Sequence, residues 1–294
     1  MDLIGDIGGT ASRLALAERG KIVTDSLWLA PEGGDDFGTV LRAFLATVPG
    51  VHVRAVSIAG AGALRGEVLP LTNRGLLLDP VQIRGIVGNV PVRLFNDMVG
   101  QGHGLAHVPQ DGLRALAGPV QATGVRLVVN IGTGLNACPV HDLPQGVFVP
   151  VAEAGNVTLP QASDGLRALA QARGGEVVAE DVISGRALPW LARVLCDVEA
   201  TGAEALKLAE VRETLALALA AYLRDMVLTH MASGGVYLTG GVSSVLADLL
   251  DWRALHTGMV GRRAYTDLLA RVPVTSVTDP LITLRGAAAL AARP

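Results

Sequence analysis

Leu3-Ile4-Gly5-Asp6-Ile7-Gly8-Gly9-Thr10-Ala11-Ser12-Arg13-Leu14-Ala15-Leu16-Ala17 reads as two strands joined by a tight glycine turn. Apolar residues alternate in the second limb, the pattern of a half-buried strand. Glu18-Arg19-Gly20-Lys21 then forms a polar turn, and residues 22–29 return as a further strand. This is a hairpin, not a strand that feeds straight into a helix. The P-loop and the dinucleotide fingerprint are both missing from it.

The turn itself carries two readings. Glycines let successive backbone N–H groups point at an anion, and Thr10 adds a hydroxyl donor. Asp6 would repel a phosphate, so the anion reading requires a cation between them, a water-ligated Mg²⁺. Against this, glycine pairs close many hairpins that bind nothing.

Outward from the hairpin, Asp36 is a candidate N-cap for a helix with apolar positions at Val40, Leu41, Phe44, Leu45 and Val48, ended by Pro49-Gly50. Strands are expected at 54–59 and 92–95, with a helix near 80–87 between them. Strands alternating with helices indicate an α/β domain. Pro109-Gln110-Asp111-Gly112 is the candidate boundary, giving a small domain over 1–108 and a large one over 109–280. A C-terminal helix within 281–294, whose core is 284–292, is expected to complete the small domain.

In the second half, 125–131 is an apolar strand ending in Gly132-Thr133-Gly134, and 146–152 reads as another, ending in Glu153-Ala154-Gly155-Asn156. A long helix over about 209–231 buries Leu215, Leu219, Tyr222 and Met226 at helical spacing. Gly234-Gly235 ends it, 236–238 is a strand, and Gly240-Gly241 is one more glycine turn. A strand with a glycine turn near residue 1 and another near 125 points to a duplicated domain.

Composition sets the outer bounds. A chain of 294 residues, half of them apolar, suits two cores. The net charge of −3 is spread along the chain without a basic block, which argues against nucleic acid as a partner. The longest strongly apolar run, 215–223, is far short of a membrane span, and Met1-Asp2-Leu3 lacks a basic leader. A cytoplasmic protein without membrane partners is expected. Cys138 and Cys196 form neither a CxxC nor a Cys/His cluster, and read as small buried hydrophobes.

Several residues are candidates for chemistry. Gly132-Thr133-Gly134 follows its strand as Gly8-Gly9-Thr10 follows the first, and a nucleoside triphosphate held between two domains needs one such turn from each. Gly240-Gly241 either admits the adenine or ribose to the backbone or is a plain strand-to-helix turn. Asp97, at the end of an apolar strand, is placed to be a general base for a substrate hydroxyl; helix capping is the other reading of Asn96-Asp97. Glu153 and Glu180 can accept paired hydrogen bonds from vicinal sugar hydroxyls, or be solvated surface groups. His103 and His107, at helical spacing, have no third partner and are not assigned a role.

Taken in order, Asp6-Ile7-Gly8-Gly9-Thr10, Leu71-Thr72-Asn73, Phe95-Asn96-Asp97, Gly132-Thr133-Gly134-Leu135, Glu153-Ala154-Gly155-Asn156, Ala179-Glu180-Asp181-Val182-Ile183-Ser184-Gly185 and Val236-Tyr237-Leu238-Thr239-Gly240-Gly241 resemble the bacterial glucokinase family over almost the whole chain. The resemblance implies a two-domain, actin-like (ribonuclease H-like) α/β sugar kinase with its active site in the interdomain cleft. It also implies Asp97 as catalytic base and Asn96, Asp97, Glu153, Asn156 and Glu180 on the sugar. Gly8, Gly9, Thr10, Gly132, Thr133, Gly134, Gly240 and Gly241 would hold ATP, Asp6 would hold Mg²⁺ through water, and the assembly would be a homodimer.

The chain also departs from the family pattern. Asn156 stands where the family has histidine, Ala154 and Asn136 where it has glycine, and Ala11-Ser12 where it has Asn-Ala. Several of these changes fall on the sugar side, where one exchanged donor can change substrate preference. Two alternatives to a glucose kinase therefore stand: a kinase for another sugar or an amino sugar, and a non-catalytic sugar sensor.

Overall fold

The computed structural model describes residues 1–8, 12–30, 36–71, 75–119, 122–261 and 264–293. Gly9 and Thr10 of the first turn, and Thr72-Asn73, lie outside the described residues. The chain divides into two units: Met1–Pro109 with Asp279–Pro294, and Gln110–Thr278.

The first unit opens with β1 (Asp2–Ile7), β2 (Ser12–Glu18) and β3 (Lys21–Leu29), followed by α1 (Phe37–Thr47). Asp36 caps α1, accepting from the N–H groups of Gly38 and Thr39, and Phe37, Val40, Leu41 and Phe44 form its buried stripe. Then come β4 (Ala55–Gly60), the short pair β5 (Leu69–Pro70) and β6 (Leu77–Leu78), α2 (Pro80–Val87), β7 (Val92–Asn96) and α3 (Asp97–Gly104). α2 begins as its sequence dictates, with Asp79 as cap and Pro80 in the first turn.

The sheet order is β3-β2-β1-β4-β7, antiparallel through the meander and parallel from β1 onward. Alternation along β1 divides the core. Leu3 and Ile7 join Leu41, Phe44 and Ile83 on one face. Ile4 joins Phe95 and the C-terminal helix (Ile282–Ala291), through Leu284 and Ala288, on the other. Each fully buried leucine, isoleucine or phenylalanine among them contributes about 1.5–3 kcal/mol.

The C-terminal helix packs on α3 closely enough that glycines are required at the crossing. A Cβ on Gly286 would lie 1.8 Å from the Gly100 carbonyl oxygen, and one on Gly104 would lie 1.9 Å from that of Ile282. Beside this crossing His103 is buried, its Nδ1 3.3 Å from Arg293 Nη2. Burial, then the charges of Arg293, Arg93 and His107, pushes its pKa down to about 4. The unfolded chain binds this proton more tightly, so stability is present above the ordinary histidine value and is lost as pH falls from about 6.5 toward 4. We expect acid destabilisation from this residue, read as the fall in melting temperature between pH 7 and 4. His103→Phe should flatten that slope; an equal slope in both proteins would refute the assignment.

The second unit holds β8 (Leu113–Ala117), β9 (Arg126–Ile131), β10 (Leu135–Leu143), β11 (Gly146–Phe148), α4 (Asp164–Ala172), α5 (Leu188–Cys196), α6 (Gly202–Ala205), α7 (Ala209–His230), β12 (Val236–Thr239), α8 (Gly241–Leu249), α9 (Trp252–Val260), α10 (Thr266–Leu269) and β13 (Val274–Val277). Its sheet runs β11-β10-β9-β12-β13-β8. The first five strands repeat the order and the antiparallel, antiparallel, parallel, parallel sense of the first unit's sheet. The structure therefore carries one strand arrangement twice, with β8 added at an edge.

One strand is shorter than the sequence suggests. The apolar run 146–152 leads to the expectation of a strand throughout, but β11 stops at Phe148. Pro150 has no N–H to give a ladder. Cys138 is buried and Cys196 partly so, and neither forms a disulfide. No helix among the described residues is long and apolar enough to cross a membrane.

Candidate active site

In the first unit the candidate residues gather at the carboxyl ends of the parallel strands, where open α/β sheets bind ligands. The register aligns Ile7 of β1 with Gly60 of β4, and Gly60 with Asn96 of β7. Gly8 and Asp97 each follow the last residue of their strand in that row, and Asp6 precedes it by one.

Asn96 is the cap of α3. Its Oδ1 accepts from Met98 N–H at 2.9 Å, and its Nδ2 donates to the Gly62 carbonyl at 2.9 Å. The helix-capping reading of Asn96-Asp97 falls on Asn96. Asn96, buried, fixes the strand-to-helix corner, and this sets Asp97, half-buried, on the first turn of α3. Asp97 Oδ1 accepts from Met98 N–H at 2.9 Å.

Asp6 pairs with Arg13 at 3.4 Å, through Oδ2, and Arg13 also reaches the Pro280 carbonyl. Burial pushes the Asp6 carboxyl above its ordinary value, and the Arg13 guanidinium pulls it part of the way back. The strand pairing sets Arg13 directly opposite Asp6.

In the second unit, Gly132-Thr133-Gly134 is the turn between β9 and β10, closed by Gly132 N–H on the Gly134 carbonyl at 3.0 Å. Gly240, with φ +93°, caps α8 at the end of β12, whose Thr239 lies level with Asn130 of β9. The two glycine turns thus share the carboxyl edge of this sheet.

Glu180 lies on a short 3₁₀ turn, Ala179–Asp181. Its Oε2 accepts from Leu135 N–H at 2.8 Å and its Oε1 is paired with Arg186. Gly134 must be glycine for this, because a Cβ there would lie 2.4 Å from Glu180 Oε2. Glu153 and Asn156 are exposed at either end of the Ala154–Asn156 turn. Asn136 clamps that loop: Nδ2 donates to the Ala152 carbonyl at 2.8 Å, and Oδ1 accepts from Ala154 N–H at 2.9 Å. From the core side, Tyr222 donates to the Ala154 carbonyl at 3.2 Å.

In each unit a glycine turn at a strand end is suited to bind an anion, and a carboxylate held at a strand or helix end is suited to accept hydrogen bonds or a proton from hydroxyls. The glucokinase family model matches residues 3–294. The chain belongs to the glucokinase family. Glucokinase of Rhizobium meliloti is 30% identical, over 99% of this chain and 92% of that relative. Glucokinase of Marinobacter nauticus is 28% identical, over 97% and 95%. Among solved structures, a glucokinase from an Antarctic psychrotroph matches with TM-score 0.83 at 23% identity, over 98% of each chain. A ROK family glucokinase from Streptomyces griseus, solved with glucose and AMPPNP, matches with TM-score 0.63 at 23% identity, over 99% of this chain and 98% of that one. The fold is the actin-like sugar-kinase fold.

Around the candidate residues, four partners have roles that motifs alone do not disclose. Arg13 pairs with Asp6 and Arg186 with Glu180, and Asn136 and Tyr222 hold the Glu153 loop. Tyr222 had a signal: among Leu215, Leu219, Tyr222 and Met226 it alone carries a hydroxyl, and a buried tyrosine needs a partner. Asn136, a departure from the family glycine, proves to be the loop's clamp.

Proposed function

We propose that this chain is an ATP-dependent glucokinase that transfers the γ-phosphoryl group of ATP to the 6-hydroxyl of glucose. Asp97 removes the hydroxyl proton as the oxygen attacks phosphorus, and the transferring group passes between two oxygens in line. Asn96, Glu153, Asn156 and Glu180 hold the sugar hydroxyls; the turns at Gly8-Gly9-Thr10, Gly132-Thr133-Gly134 and Gly240-Gly241 hold the nucleotide. The observation that carries this reading is the family match along essentially the whole chain, together with Asp97 standing at the carboxyl edge of β7. The glucose and AMPPNP, an ATP analogue, in the Streptomyces griseus relative support the same substrate pair.

Magnesium fits this donor set. The described residues contain no group of three metal-ligating side chains, and a lone carboxylate suits an ion that keeps most of its waters and rests on phosphates. Asp6 would hold it through water, and when bound it would neutralise charge on the phosphate oxygens. Asp6 also contributes an expected trade of stability for function. Its folded value lies above its unfolded one, so the fold loses stability as pH rises through that window and bears the cost at neutral pH. Asp6→Asn should therefore raise the melting temperature at pH 7.5 while lowering kcat by about 10²-fold or more. A lowered melting temperature, or undiminished kcat, would count against this role.

Asn156 and Ala154 favour a second reading within the same chemistry, a preference for another hexose or an amino sugar. ADP release with Mg-ATP across glucose, mannose, fructose, glucosamine and N-acetylated sugars separates the two. Turnover on glucose above the rest supports the first reading; silence on glucose with turnover elsewhere supports the second. Silence throughout removes both. A cytoplasmic homodimer is the setting we propose for this activity.

A further inference from the structure

Glu180 is held by more than its place in the chain. Leu135 N–H binds one carboxylate oxygen at 2.8 Å, Arg186 pairs with the other, and Ser184 Oγ donates to the Glu180 carbonyl at 2.7 Å. The arginine is itself anchored. Its N–H donates to the Thr133 carbonyl at 3.2 Å, beside the Gly185 N–H bond to Gly132 at 2.8 Å. The segment bearing Arg186 is thus fastened to the glycine turn, and its side chain reaches from there to Glu180.

A carboxylate offers about four lone-pair directions. Two are used here, one on each oxygen, which leaves one on each for a ligand. An acceptor pair serves vicinal hydroxyls only if its plane is fixed, and a lone backbone donor leaves the carboxylate free to rotate about its last torsion. The Glu180 side chain is 20% exposed and Arg186 57%, so the pair has one side in the protein and one open to a ligand.

From this geometry we infer that Arg186 is a positioning residue for the sugar: it locks the plane of Glu180 and so sets affinity for the hydroxyls that Glu180 accepts. The inference rests on the sugar-kinase reading above. Because the ion pair is half-exposed, it contributes little to folding. Its effect belongs to the ground-state grip on the sugar, not to the chemical step or to the nucleotide.

The test is a split of kinetic constants in Arg186→Ala and Arg186→Lys, with calorimetric sugar binding in the absence of nucleotide. Arg186→Ala should raise sugar KM and the sugar dissociation constant by about 10- to 100-fold. Its kcat at saturating sugar should stay within about threefold, its KM for ATP should be unchanged, and its melting temperature should stay within about 2 °C. Arg186→Lys, which keeps the charge but not the planar fork, should recover part of the affinity. Unchanged sugar affinity in Arg186→Ala would overturn the inference, as would a fall in kcat with sugar affinity intact, which would assign the arginine to the phosphoryl group. If the unmodified protein binds no sugar, the kinase reading fails and takes this inference with it; unmodified protein that binds sugar alongside an unaffected Arg186→Ala sinks the inference alone.

Discussion

Asp97→Asn should lower kcat on glucose by about 10²- to 10⁴-fold, the range for loss of a general base, with sugar binding largely kept. Asparagine has the same shape, and its Oδ1 can still accept the Met98 N–H that Asp97 Oδ1 accepts at 2.9 Å. Asn96 continues to cap α3 through its own bond to Met98. What the substitution removes is a basic oxygen able to take a proton. The loss should therefore fall on kcat and kcat/KM together, with sugar binding and melting temperature close to those of the unmodified protein. A variant that turned over at the original rate would show that the proton leaves by another route, and Asp97 would lose its assignment.

Gly286→Ala is expected to be the most damaging single methyl group in the first unit. Its Cβ would lie 1.8 Å from the Gly100 carbonyl oxygen and 2.9 Å from Gly104 N, and neither neighbour is a side chain that can swing away. The C-terminal helix and α3 would have to part, at a cost of about 3 kcal/mol or more. The gain in helix propensity from glycine to alanine, about 1 kcal/mol, is too small to offset it. Since Asp97 opens α3, the displacement should also lower kcat. Gly85→Ala supplies the contrast: it lies in α2 with nothing within 4 Å of the new methyl, and should be neutral or stabilising by up to about 1 kcal/mol. Thermal unfolding of the two variants decides the matter. Equal melting temperatures would contradict the close helix crossing.

The two variants also mark where the sequence stops being informative. Local chemistry was readable: Asp36 caps the helix that follows it, a helix starts at Pro80, and the strand ending at Asn96 delivers Asp97 to a sheet edge. Such features depend on residues a few positions apart. Gly100 and Gly104 were equally visible, one helical turn apart, but what they pack against, Thr283 and the Ile282 carbonyl, lies far along the chain, where no local pattern discloses it. The partners of the site carboxylates were hidden likewise. Arg13 faces Asp6 through strand register, and Asn136 reaches the Glu153 loop across a hairpin. Arg186 does follow Glu180 closely in sequence, but nothing in the spacing states that a half-exposed arginine turns back onto that carboxylate. The strand at 146–152 ends early for a simpler reason: its residues are apolar, but Pro150 has no N–H for the ladder.

Phosphoryl transfer to the sugar is read from its products by phosphorus NMR of one sample containing the protein, Mg-ATP and glucose, run beside Asp97→Asn. The expected result is a phosphomonoester at the glucose 6-position, formed in step with ADP and almost absent from the variant. ADP with inorganic phosphate and no sugar ester would rule out sugar phosphorylation, and a sugar ester formed equally by the variant would rule out Asp97 as its base.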